Sequence, residues 1–269
     1  MQIVRATNDT EFISSDKTFW LDFPVTTTED AGPGSLRQTI FDMNASAGCG
    51  STSRLPCRAA FRLPEGTHTI RPPPLPALDI YWPGIEGSIT LDGSALVTGN
   101  GLEITKAAFV SEIRGLTIEG FPWNGIHTAS RISRIDACNI RGNGSRGIAV
   151  EGTSARIEHC VIEGNARSGV FLAGGDIGGP HIRDNRIARN GASGIFVGDF
   201  THAYQSPVIE NNVIEDNAHF GVAVSLKAPV SVLVNTIRDN GQGGIDIRLD
   251  GPTEFVEGIP GLGGVLRRR

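Results

Sequence analysis

The chain is short of most features that announce a function. In 269 residues it has four cysteines, two methionines and two tyrosines, and aromatic residues make up only 6%. No two cysteines are spaced C-x-x-C, so that zinc or redox signature is missing. No apolar run reaches the length of about 18 residues that a membrane-spanning helix needs. Positive charge is not in excess. Lys and Arg number 24 against 29 Asp and Glu, a net charge of −5, and no basic stripe carries interleaved aromatics. A nucleic-acid partner is therefore not expected, and the closing Arg267-Arg268-Arg269 reads as a solvated tail. Met1 to Phe12 hold no apolar core of a signal peptide.

What is present is glycine at a recurring interval. Gly101, Gly125, Gly147, Gly169, Gly194, Gly221 and Gly244 each open a short apolar stretch, at spacings of 24, 22, 22, 25, 27 and 23 residues. A period in this range marks a solenoid built from stacked supersecondary units. A second motif precedes each glycine, as in Ile157-Glu158-His159-Cys160-Val161-Ile162 and Ile182-Arg183-Asp184-Asn185-Arg186-Ile187. Asn185, Asn212 and Asn235 should stack as a ladder at its turn, taking the left-handed backbone that Asn tolerates, with Cys138 and Cys160 continuing the column. Asn143, Asn165, Asn190, Asn217 and Asn240 stand four residues before successive glycines and should form a second ladder. The apolar runs are too short for helices and too poor in leucine for leucine-rich repeats. Three short strands per coil fit the period.

The pattern Asn-x-x-x-Gly-Ile-x-Val resembles the right-handed parallel β-helix, or pectin-lyase-like, family. The stretch Thr26 to Gln38 resembles the N-terminal cap of large secreted or surface bacterial β-helix proteins. The expected architecture is all-β: a single-stranded right-handed parallel β-helix solenoid of three strands per coil, in one domain. Residues 1–58 form an N-terminal cap, 59–100 irregular first coils, 101–250 regular coils and 251–269 a C-terminal tail. In the cap, Ser35 and Gln38 form a capping box for a short amphipathic helix that buries Leu36, Ile40 and Met43. Cys49 and Cys57 flank a loop that a disulfide could close, whereas Cys138 and Cys160 read as buried thiols. Gly258-Ile259-Pro260-Gly261 makes a poor cover for the last coil, so that end is expected to pack on a partner, a second copy or a missing segment.

Alternation along the strand after each glycine assigns its outward residues. The first column is Glu103, His127, Ala149, Phe171, Phe196, Ala223 and Asp246, and the second includes Glu151. Phe171 and Phe196 offer an apolar platform for a sugar ring or a protein, with His127 beside them as a binding residue. The pectate lyases that the fold resembles use converging acidic calcium ligands and a basic residue. Calcium takes six to eight oxygens, yet Glu103, Glu151 and Asp246 lie two or more coils apart. Glu151 has no evident outward partner. His159, His181 and His219 fall at coil corners on different columns, so no metal and no cofactor are expected. A column of Glu119, Arg141, Glu163, Ala188, Glu215 and Arg238 reads as a surface salt-bridge ladder.

The inserted loop Asp199-Phe200-Thr201-His202-Ala203-Tyr204 brings a carboxylate, an imidazole and a phenol together. It resembles, without matching, the Asp-Pro-His motif of β-helix alginate lyases and epimerases. The first functional expectation is an extracytoplasmic scaffold or adhesion module (secreted, periplasmic or on the cell surface, its signal peptide not in this chain) that holds a polysaccharide or protein partner along its side. The alternative is a polysaccharide lyase or epimerase using Asp199, His202, Tyr204 and Glu151 on an acidic polymer.

Overall fold

The computed structural model describes residues 20–49, 56–151, 154–173, 179–198, 207–225 and 230–247. Among these, every strand pairing is parallel, in three sheets that the chain visits in rotation. Sheet A has nine strands, from Leu21–Val25 to Ser231–Leu233. Sheet B has eight, from Thr69–Ile70 to Thr236–Arg238, and sheet C has seven, from Leu102–Ile104 to Gly243–Ile247. This is the parallel β-helix with three strands per coil. Sheet A begins at Leu21–Val25, so residues 1–58 contribute a strand to the solenoid as well as the helix Leu36–Ala45.

That helix buries Leu36, Thr39, Ile40 and Met43. Ser35 Oγ accepts from the Gln38 N–H at 3.2 Å, but the Gln38 side chain turns to Asp42 Oδ1 at 2.8 Å. The capping box is thus half made, because the Ser35 N–H is already used by the Gly32 carbonyl. Cys49 and Cys57 are joined as a disulfide, tying the segment after the helix to the second strand of sheet A. Cys138 and Cys160 are free and buried.

The core is a set of axial columns. Ile140, Ile162, Ile187 and Ile214 are fully buried and directly above one another, as are Ile148, Val170, Ile195 and Val222. From Ile113 onward two of the three corners have constant length. The inward residue of sheet A is followed five positions later by that of sheet B (Ile135 to Ile140, Ile157 to Ile162, Ile182 to Ile187) and eight positions after that by that of sheet C (Ile148, Val170, Ile195). The return from sheet C to sheet A absorbs all the variation in coil length: Ile148 to Ile157, Val170 to Ile182 and Ile195 to Ile209 grow progressively longer.

Both constant corners use one device, a residue with positive φ followed by an inward ladder residue. Between sheets A and B these pairs are His159 and Cys160, Asp184 and Asn185, Asn211 and Asn212, Val234 and Asn235. Between sheets B and C they include Gly142 and Asn143, Arg189 and Asn190, Asp216 and Asn217. This corrects the expectation that the ladder asparagines themselves take the left-handed turn. They point inward with their side-chain amides bonding from coil to coil. Asn190 shows the pattern: its Nδ2 donates to the Ile162 carbonyl (3.1 Å) and to Asn217 Oδ1 (2.9 Å), while its Oδ1 accepts from the Asn165 N–H (3.1 Å) and Nδ2 (3.0 Å). The other ladder repeats this through Asn185, Asn212 and Asn235, and the Asn185 Oδ1 accepts from the Cys160 N–H at 2.9 Å.

The recurring glycine has a steric cause. A Cβ at Gly147 would stand 2.6 Å from Ile162 Cγ2, 2.7 Å from the Gly169 carbonyl oxygen and 2.9 Å from Asn165 Nδ2. The chain passes too close to the amide ladder there for any side chain.

Candidate functional site

The outer face of sheet C gathers ionisable and aromatic side chains into one column. Parallel register places Glu103 beside His127, then Ala149, Phe171, Phe196, Ala223 and Asp246, one per coil. Strands in a sheet lie about 4.8 Å apart, so each outward residue can touch the next.

His127 is clamped between two carboxylates. Its Nδ1 lies 2.7 Å from Glu103 Oε1 and its Nε2 lies 3.5 Å from Glu151 Oε2. Glu103 is itself held by Asn100, whose Nδ2 donates to Oε2 at 2.5 Å. This overturns two expectations. Glu151 does have a partner, and although Glu103 and Glu151 stand two coils apart, they converge on the imidazole of the coil between them. Asp246 remains far along the column. A doubly protonated imidazolium donates from both ring nitrogens, which matches a carboxylate on each side. The hydrogen bond to Glu103 is the main reason the His127 pKa is raised above its ordinary value; burial opposes it and Glu151 adds to it.

Ala149 is assigned outward by alternation, yet it is fully buried. Two longer side chains of the same coil, one from either end of the strand, reach its neighbours in the column. Arg146, at the corner before the strand, lays its guanidinium 3.8 Å from the centre of the Phe171 ring. Glu151, just after the strand, reaches His127 from the other end. Arg146 is half-buried, and its pKa is lowered chiefly by that burial and further by repulsion from Arg167, with Glu151 acting in the opposite sense. The corner itself is ordered by amides: Asn124 donates to Asn100 Oδ1, and the Arg146 N–H donates to Asn124 Oδ1 at 3.1 Å.

Phe171 and Phe196 stack with centroids 5.7 Å apart and planes 8° from parallel. They do not form the open platform expected from their column, because each covers one face of the other and Arg146 covers the remaining face of Phe171. What is left for a ligand is their edges and the Phe196 face toward Ala223. Sequence reasoning missed Arg146. It lies on a corner, where strand alternation assigns no direction, and only its place immediately before Gly147 marks it.

The other anticipated residues sort differently. Asp199, His202 and Tyr204 lie outside the described residues. His181 is on a sheet A strand rather than at a corner. Among the described residues no group of three or more His, Cys, Asp or Glu could hold a metal ion. The expected charge ladder on sheet B forms with a rearrangement. Arg141 pairs with Glu119 (2.5 Å), but Ala188 is buried, and Arg186 bridges Glu163 (2.9 Å) to Glu215 (2.8 Å) across the coil it occupies. Arg189 and Arg238 join Glu163 and Glu215 respectively.

Residues 92–258 match the family model described as "Right handed beta helix region". Two solved structures are similar to this chain. One is the crystal structure of a mutant of the periplasmic alginate epimerase AlgG, at 15% identity and TM-score 0.46, covering 76% of this chain. This chain spans 58% of that protein's length. The other is the A-module of the Azotobacter vinelandii mannuronan C-5 epimerase AlgE4, at 14% identity and TM-score 0.33, covering 75% of this chain and 83% of that one. No curated protein sequence matches.

Proposed function

The chain belongs to the right-handed β-helix family, and from that premise we propose that the outer face of sheet C binds an acidic polysaccharide and that His127 transfers a proton there. The observation that carries this reading is the convergence of Glu103 and Glu151 on His127, one coil from the half-buried Arg146. A site for uronate chemistry needs a cation to hold the sugar carboxylate and to stabilise the negative charge that develops when the adjacent carbon loses its proton. Arg146 is that cation. The reaction also needs a proton donor near the leaving oxygen. His127 is the donor, its charged form favoured by Glu103. The loosely held Glu151, half exposed, is free to swing aside and uncover Nε2.

In an elimination, a base removes the proton next to the carboxylate and a carbon–carbon double bond forms. The glycosidic carbon–oxygen bond breaks, and its electron pair takes the proton from His127. We assign the base to the segment with Asp199, His202 and Tyr204. The Cys49–Cys57 disulfide supports placing the protein outside the cytoplasm, where such bonds persist.

Ultraviolet absorbance of unsaturated products, measured on a panel of uronate polymers, tests the reading, with proton exchange by NMR as the assay for epimerisation. Activity should be lost in His127→Ala and Arg146→Ala. An inert protein that still binds these polymers, more weakly in Phe196→Ala, would instead establish a scaffold that holds a glycan along its side.

A further inference from the structure

We infer that the same glycan has a second contact at the corner before sheet C: a notch over Ser145, walled by Trp123 and Arg167, that takes the carboxylate of a neighbouring acidic sugar. The inference rests on sheet C binding an acidic glycan, and not on proton transfer by His127.

Three successive coils build the notch. The Ser145 N–H donates to the Trp123 carbonyl at 2.9 Å, and the Arg167 N–H donates to the Ser145 carbonyl at 2.8 Å, so the three residues form one axial column. The small residue lies between two large ones. Trp123 is 53% exposed, which leaves its indole available to a sugar ring. Arg146 is the next residue after Ser145, and its guanidinium lies over the Phe171 ring.

Charge points to the ligand. Arg167 is near enough to Arg146 to repel it, and neither makes an ion pair with a carboxylate among the described residues. Most other arginines of the solenoid are paired: Arg58, Arg71, Arg114, Arg134, Arg141, Arg183, Arg186, Arg189 and Arg238 meet acids on their own or adjacent coils. Two like charges on adjacent coils repel, and an anion between them reverses the sign of that interaction. A carboxylate is planar and suits two guanidinium forks. With Arg146 and Phe196 engaging one acidic sugar, the next unit on the corner side meets Arg167 and Trp123.

Binding, read without turnover, decides the matter. Tryptophan fluorescence is titrated with a single uronate, an oligouronate and a neutral oligosaccharide, for the wild type, Trp123→Phe, Arg167→Gln and Phe196→Ala. The oligouronate should change the emission of the wild type, and Trp123→Phe should abolish that change. Arg167→Gln should weaken the oligouronate about tenfold, the loss of one charge-assisted contact, while leaving the single uronate unaffected. Arg167 is exposed, and an unchanged thermal midpoint establishes that Arg167→Gln is folded. Equal oligouronate affinity in Arg167→Gln and wild type, with a loss in Phe196→Ala, would remove the notch and leave the sheet C reading standing. Failure of the wild type to bind any uronate would remove both.

Discussion

Glu103 and His127, 24 positions apart in sequence, meet at 2.7 Å because parallel stacking makes them neighbours on adjacent coils. The contact raises the His127 pKa, so the folded state binds this proton more tightly than the unfolded chain does. The stabilisation is fully present below the unfolded histidine value of about 6.5, and it disappears as pH rises through the folded value. Thermal midpoints should therefore fall across that window in the wild type and fall less in Glu103→Gln. NMR titration of the imidazole gives the direct reading, and a His127 pKa at or below that of a free histidine would refute the clamp.

The asparagine ladders should dominate stability. Asn190→Ala leaves the Asn165 N–H, the Ile162 carbonyl and the Asn217 Oδ1 short of a partner in a buried site. Each such orphan costs about 1–3 kcal/mol. Arg141→Ala removes an exposed ion pair worth about 0–1 kcal/mol. Denaturant unfolding of the two variants should separate them by several-fold in free energy, and similar values would mean that the ladder is not the main tie between coils.

Much of this was legible in the sequence. Isoleucine and valine at constant offsets, with asparagine at two fixed places, give the coil and its inward columns, and alternation gives the stacked column from Glu103 to Phe196, in which Ala149 is nonetheless buried. Two things were not legible. The left-handed position accepts Ala137, His159, Asp184, Arg189 and Val234 alike, so it has no residue signature and was assigned one place too late. The site depends on diagonal reach, from Arg146 at a corner and Glu151 beyond a strand, and a column-by-column reading pairs only residues directly above one another.

Gly147→Ala puts a methyl within 3 Å of Ile162, Asn165 and the Gly169 carbonyl. The carbonyl belongs to the backbone of the next coil and cannot yield cheaply. A loss of about 1–3 kcal/mol is expected from such overpacking. Gly142, by contrast, has open space around a Cβ but a φ of +63°. Gly142→Asn should cost less, since Asn tolerates that backbone and the position is exposed. Chemical denaturation of both variants is the check, and a costlier Gly142→Asn would contradict the steric account.

Val234 is strained. It holds a φ of 54° with a β-branched side chain that is 79% exposed. A left-handed conformation costs an L-residue roughly 1–2 kcal/mol, and Gly avoids it. Val234→Gly should raise the thermal midpoint although it removes apolar surface, and a lowered midpoint would mean that the valine makes a contact worth more than its strain.

The unequal corners divide the labour of the solenoid. Where the asparagine ladders run, two are locked by amides that must meet the coil above, so neither can gain or lose a residue there without breaking a column. The third, from sheet C back to sheet A, is under no such constraint, and its length changes from coil to coil. It opens immediately beside the face that carries Glu151, Phe171 and Phe196. New ligand contacts can therefore be acquired there by simple lengthening, at a place where the frame registers no change. This makes the site the most readily altered part of the regular coils, whose other two corners are fixed.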